Sequence, residues 1–189
     1  MATVYFEDID QLTLRRARNG EGAAFAQLYD RYAKPAYNLA LRMLGDSAAA
    51  EDVVQEVFLR LLDRLRGFRG DAPFGAWLRR LVANAAIDEL RRRRWLDREA
   101  EVPLAQFPQT RSLAENQAEA WQALMALSPA ARAVVVLHEI EGFTHVELGA
   151  MFGQSESYSK SILSRALAVL RERMKSADAN AGDPQHVAV

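Results

Sequence analysis

Cations, an amide and aromatic rings crowd residues 68–95, FRGDAPFGAWLRRLVANAAIDELRRRRW. Arg91, Arg92, Arg93 and Arg94 can hold a phosphate backbone, and aromatic faces stack on unpaired bases. Phe68 and Phe74 stand in or beside a short loop with Arg69, Gly70 and Asp71. Glycine lets backbone approach closely, so residues 68–75 could hold a base pulled from its stack. Along the helix that follows, Arg80, Asn84, Ile87, Arg91 and Arg94 recur at steps of four and three on one arc, where arginine can prefer guanine and asparagine adenine. Trp77, Leu78, Leu81, Val82 and Ala85 take a second, buried arc, which makes Trp77 core. The chemistry implied is non-covalent handling of partly single-stranded DNA. The competing reading of the arginine run is a solvated helix end that complements the macrodipole.

A second constellation is acidic. Asp46, Glu51, Asp52 and Glu56 fall in residues 45–58, which hold no Lys or Arg. On a helix begun at Ser47, Val53, Val54, Val57, Phe58, Leu61, Leu62 and Leu65 form a core-facing stripe. Asp52, Gln55, Glu56, Leu59 and Asp63 face away from it. That face is either merely solvated or a docking surface for a basic helix. An apolar Leu59 inside a carboxylate rim favours docking.

The third is a helix-turn-helix pattern. Thr144 and Glu147 fit a capping box, Gly153 a turn, and Ser155 the cap of a second helix whose Leu163, Ala166, Leu167 and Leu170 face inward. That helix would present Ser157, Tyr158, Lys160, Ser161, Ser164 and Arg165 to a major groove. An ordinary helical hairpin is the alternative.

The elements that position these groups are helices, and no segment alternates convincingly at period two. Helices are expected over 22–43, 47–66 and from Asp71, as cap, with Pro73 in the first turn, to about Trp95. Pro103, Pro108 and neighbouring polar residues break the pattern. Helical periodicity resumes over 113–174. The expected organisation is an N-terminal segment (1–21), a first domain (22–96), a linker (97–112), a second domain (113–175) and a frayed tail (176–189). The fold class is all-α, two small helical domains joined by a linker.

The chain has 189 residues, no cysteine and a net charge of −1. Disulfides and thiolate metal sites are excluded. No signal segment or membrane-length apolar run is visible, so a soluble cytoplasmic protein is expected, without direct membrane insertion. Near-neutral charge is unusual for a protein that grips DNA alone. His138-Glu139 begins a zinc-helix pattern, but Gly142 stands where its second histidine belongs, and a structural role for His138 and His145 is favoured. No metal, cofactor or catalytic residue is expected, and the chain reads as a non-enzyme. A free-standing helix-turn-helix regulator would need a ligand pocket or phosphoacceptor in the N-terminal half, and no signature of either is visible.

In this order the three constellations resemble the extracytoplasmic-function (ECF) group of bacterial sigma factors, in the sigma-70 family. The match runs over residues 22–174: Asp46 with Glu51-Asp52-Val53-Val54-Gln55-Glu56-Val57-Phe58; Phe68-Arg69-Gly70-Asp71 through Phe74, Trp77-Leu78 and Asn84; and Leu127-Ser128-Pro129 through Glu139, Gly142, Glu147 and residues 155–167. The resemblance implies a sigma-2-like bundle and a sigma-4-like helix-turn-helix. It implies that Asp52, Gln55, Glu56 and Leu59 dock on the β′ clamp helices of core RNA polymerase, whose β flap is a further contact. Phe68, Arg69, Gly70, Asp71, Phe74, Arg80, Asn84, Arg91 and Arg94 would read and open the −10 element. Ser157, Tyr158, Lys160, Ser161, Ser164 and Arg165 would read the −35 element. An anti-sigma factor is a partner that members often have. Acidic Asp97, Glu99, Glu101 and Glu115 would lie along the RNA path. Tyr158, Ile162 and Gly149 depart from the usual pattern, so the usual −35 preference is not implied.

Overall fold

A computed structural model describes residues 9–93 and 120–181 of the chain. It is helical, with no strand among the described residues. The elements are α1 (Gln11–Arg18), α2 (Gly22–Leu44), α3 (Ser47–Arg66), α4 (Phe74–Arg92), α5 (Pro129–Val135) continued by a π-helical turn (Val136–Ile140), α6 (His145–Phe152) and α7 (Glu156–Ala181). Residues 120–125 form one further helical segment before α5. The expected linker lies outside the described residues, as do Arg94 and Trp95.

Local chemistry explains most boundaries. The Asp46 carboxylate accepts from the Ala48 and Ala49 amides and starts α3. The Ser128 hydroxyl accepts from the Ala131 amide, with Pro129 in the first turn of α5. Gly45 ends α2 in the left-handed region, at φ 72°. One helix was not anticipated. Asp10 caps α1 by accepting from Thr13, and the buried Leu14 and Ala17 dock that helix on α2. The helix expected from Asp71 instead starts at Phe74. Pro73 is its N-cap, with no side-chain bond to the helix.

The first domain packs α1 to α4 around Leu28, Tyr32, Leu39, Leu61, Phe74, Leu78 and Ile87, all essentially excluded from solvent. At about 25 cal/mol per Å² of buried apolar surface, side chains of this size each contribute roughly 1.5–3 kcal/mol. Leu62 is corrected from the core stripe to the surface, since it is 42% exposed. The second domain buries Val134, Val136, Leu137, Leu148, Phe152, Ile162 and Leu163. Ile162 is therefore a core side chain, which is why it departs from a polar contact pattern.

The two domains pack on each other. Arg132 on α5 is buried and donates to the Met43 and Leu44 carbonyls at 3.0 and 2.7 Å. Those carbonyls are the negative end of the α2 dipole, so a cation from one domain caps a helix of the other. Burial pushes the Arg132 guanidinium down to about 10, which leaves it charged at neutral pH.

Candidate nucleic-acid interface

The acidic face is built as the periodicity requires. Val53, Val54, Val57 and Phe58 turn inward, while Asp52, Gln55 and Leu59 are exposed and Glu56 is half-buried. Leu59 is 79% exposed, the largest value among the big apolar side chains described. Glu56 pairs with Arg60 at 2.8 Å, one turn along. Asp46 is not part of this face. It caps α3 and pairs with Arg93 at 2.8 Å. The Arg93 bond, aided by the Ala49 amide, holds its carboxyl below the usual range.

The loop between α3 and α4 exposes Arg69, Gly70, Asp71 and Ala72, and Gly70 has φ 82°. Its aromatic residues do not join that exposed surface. Phe68 is 8% and Phe74 1% exposed, and their rings meet edge-on at 5.7 Å. Trp77 lies 5.0 Å from Phe68 and 5.7 Å from Phe74, and Tyr32 lies 5.2 Å from Phe74. The expectation that Phe68 and Phe74 stand free of the core is corrected, because burying these large rings together removes more apolar surface from water than a loop could otherwise cover. They form the floor of the loop. Trp77 is packed against the core, as its arc predicts. Arg18, which the sequence reading overlooked, donates to the Leu65 carbonyl at 3.1 Å and also to the Phe68 carbonyl, tying the loop's first residue to α1. No local sequence pattern signals a bond across 50 residues.

Along α4, Arg80 and Arg91 are exposed and Asn84 is half-buried, but Ile87 is fully buried. The supposed strip of DNA-facing residues is interrupted there, and Ile87 belongs to the core. The arginine run is held within the chain. Arg91 pairs with Asp88 at 2.7 Å, and Arg92 and Arg93 both pair with Glu89. Arg91 also donates to the Met151 carbonyl of α6 at 2.8 Å, and Arg80 meets Glu147 at 3.4 Å. Asn84 lines a groove of about 210 Å³ between α3 and α4 with Glu56, Arg60, Arg64 and Arg92.

The helix-turn-helix has the expected local chemistry. Thr144 Oγ1 accepts from the Glu147 amide while the Glu147 carboxylate accepts from the Thr144 amide. These Thr144 bonds keep Glu147 below the usual carboxylate range. Gly153 turns the chain at φ 65°, and Ser155 Oγ accepts from the Tyr158 amide. Gly149 has a steric cause: a Cβ there would lie 2.9 Å from the Gln154 carbonyl oxygen and 3.1 Å from the Ser155 carbonyl carbon. The turn presses on the first helix so closely that alanine would force backbone to move.

Ser157, Lys160, Ser161, Ser164 and Arg165 are exposed on α7. Tyr158 is corrected to half-buried, with its ring 6.3 Å from Phe152. Ser159, between exposed neighbours, is wholly buried and links the two helices. Its hydroxyl donates towards the His145 and Glu156 carbonyls and lies 3.1 Å from His145 Nδ1. His138 and His145 stack with centroids 4.2 Å apart. Desolvation, then His138 and Lys160, hold the His145 imidazole below its ordinary value. No group of three or more His, Cys, Asp or Glu side chains among the described residues could hold a metal ion. No helix among them is long and apolar enough to cross a membrane.

Comparison with known proteins follows this division. Residues 28–96 match Sigma-70 region 2, and residues 123–172 match Sigma-70 region 4. The chain is similar to RNA polymerase sigma factor CarQ of Myxococcus xanthus, at 32% identity over 84% of this chain and 94% of the relative. It is similar to ECF RNA polymerase sigma factor SigM of Mycobacterium tuberculosis, at 31% over 80% of this chain and 77% of the relative. It is similar also to SigW of Bacillus subtilis, at 27% over 86% and 95%. A solved structure of CnrH in complex with the cytosolic domain of CnrY is 29% identical, covers 92% of this chain and 99% of that one, and superposes with a TM-score of 0.52. The acidic α3, the loop with its basic helix and the helix-turn-helix thus occur in a chain that belongs to the ECF group of the sigma-70 family, whose members direct promoter-specific transcription initiation by RNA polymerase.

Proposed function

We propose that this chain carries out sigma-factor work with three separate surfaces. Asp52, Gln55, Glu56 and Leu59 on α3 dock on the β′ clamp helices, and the second domain meets the β flap. Ser157, Tyr158, Lys160, Ser161, Ser164 and Arg165 on α7 read the −35 duplex. Arg69, Gly70 and Asp71, over the floor made by Phe68 and Phe74, trap an unstacked −10 base, and Arg80, Asn84, Arg91 and Arg94 hold the flanking strand. Trapping must offset an unpairing cost of a few kcal/mol. The observation that carries the reading is Leu59, 79% exposed within a carboxylate rim on a face that the fold does not use. An apolar centre in a polar rim is how a docking site is built.

The net charge of −1 agrees with a factor that needs polymerase before it grips DNA. It acts in the cytoplasm, where polymerase is. The structural relative CnrH was solved in complex with the cytosolic domain of CnrY, and the sigma factor RpoE of Bartonella quintana in complex with the anti-sigma factor NepR; an anti-sigma partner is proposed for this chain by analogy. Binding of the chain to promoter duplex, with and without core polymerase, tests the reading. Specific affinity should appear with core, whereas tight specific binding by the chain alone, with no gain from core, would overturn it.

A further inference from the structure

We infer that Arg18 is a positioning residue for −10 opening: from the end of α1 it fixes the pivot from which the base-trapping loop departs. The inference rests on the assignment of that loop proposed above. Arg18 lies ahead of the region 2 match, which begins at residue 28. It is the last residue of a well-seated helix. The Asp10 carboxylate caps α1, and Leu14 and Ala17 are buried. From there Arg18 Nε donates to the Leu65 carbonyl at 3.1 Å, and Nη2 donates to the Phe68 carbonyl. The Leu65 carbonyl also accepts the Phe68 amide at 3.2 Å. One edge of one guanidinium thus joins the last turn of α3 to the start of the loop, at a helix end where a cation is favoured.

Phe68 is thereby held at three points. Leu65 holds its amide, Arg18 its carbonyl, and the Phe74 and Trp77 rings, at 5.7 and 5.0 Å, its side chain. The far end of the loop is fixed too: Phe74 is buried, and the Pro73 carbonyl accepts the Trp77 amide at 3.1 Å. Between these pivots lie Arg69, Gly70, Asp71 and Ala72, all exposed. In so short a span the pivots set where each loop amide points. Binding groups work when held within about 0.5 Å of their place, and a slip of about 1 Å can cost on the order of a hundredfold. A loop ordered in advance also loses less freedom when a base arrives. Lysine could not take over this duty, because it lacks the planar fork that reaches two carbonyls at once.

Run-off transcription with core polymerase tests the inference on a promoter chosen by start-site mapping, used as intact duplex and with its −10 segment mismatched open. Arg18→Ala should lower transcription from the duplex by about tenfold or more, and from the opened template by about twofold or less, because there the unpairing cost is already met. With each −10 base replaced in turn, preference for the native base at the trapped position should fall about fivefold. Arg18→Lys should fall between the parent and Arg18→Ala. Core affinity in a pull-down should be unchanged, since Asp52, Gln55, Glu56 and Leu59 are untouched. A ratio between two bases does not depend on how much of the chain is folded, so a loss of stability alone leaves it unmoved. Unchanged base preference in Arg18→Ala, or equal losses on the two templates, would overturn the inference and leave Arg18 only the task of seating α1. Asp71→Ala, within the loop, is measured beside it. If Asp71→Ala alters −10 preference and Arg18→Ala does not, this inference alone fails. If neither does, the loop assignment fails with it, and absence of transcripts from the unmutated chain sinks the sigma reading itself.

Discussion

Single side chains here have duties that follow from their surroundings. Asp52 and Glu56 carry no structural bond between elements, so Asp52→Arg with Glu56→Arg should leave the thermal melt of the chain within a few degrees of the parent and remove core polymerase from a pull-down; retained core affinity would refute their docking role. Gly149 is different, since its hydrogen faces backbone. Gly149→Ala should destabilise the second domain by about 1–3 kcal/mol, the usual cost of overpacking, read as a lower melting temperature. His145 supplies a pH dependence. Its imidazole is held below 6.5 in the fold by desolvation first, then by His138 and Lys160, with Glu156 and Glu139 opposing them. A depressed value means that the unfolded chain takes the proton first, so stability is intact above about 6.5 and declines as pH falls through the folded value. Melting temperature should drop between pH 7 and 5, and His145→Gln should flatten that slope. Below the carboxylate range a further loss is expected as Asp46 and Glu147, both depressed, become protonated.

At the scale of elements, capping chemistry was the part most readable in the sequence. Thr144 with Glu147, Gly153 and Ser155 announced the helix-turn-helix, and each takes its expected place. Thr144→Ala should cost about 1 kcal/mol through the lost cap, measurable by chemical denaturation. Periodicity also placed the inward valines of α3 and the exposed Leu59. It failed where a residue lies near the edge of an arc. Leu62 was read as core and is exposed, while Ile87 was read as exposed and is buried. Phe68 and Phe74 misled for another reason: loop position implied exposure, but their rings pack on each other, on Trp77 of α4 and on Tyr32 of α2, and local sequence does not reveal which helices will cover a loop. Helix α1 was missed although Asp10 and Thr13 form its cap, because a short amphipathic segment near a terminus gives a weak periodic signal.

For the whole molecule, the sequence divided the chain into parts but did not say how the parts touch. Arg132, Arg79 and Arg18 each act across a sequence separation of 47 residues or more, and nothing in their neighbourhoods foretells it. The basic run likewise reads as a free grip on DNA, yet Arg91, Arg92 and Arg93 are held by Asp88, Glu89 and Asp46. On the function proposed for this chain, its hold on a promoter is shared with polymerase, in keeping with a net charge of −1. The central claim is that polymerase and this chain together choose where transcription begins. Run-off transcription with core polymerase on genomic fragments tests it most directly. The account predicts discrete transcripts that need the chain, start downstream of paired −35 and −10 elements, and vanish with the Asp52→Arg, Glu56→Arg double variant. A folded chain that adds no transcript to core polymerase alone, or whose transcripts persist unchanged with that double variant, would contradict it.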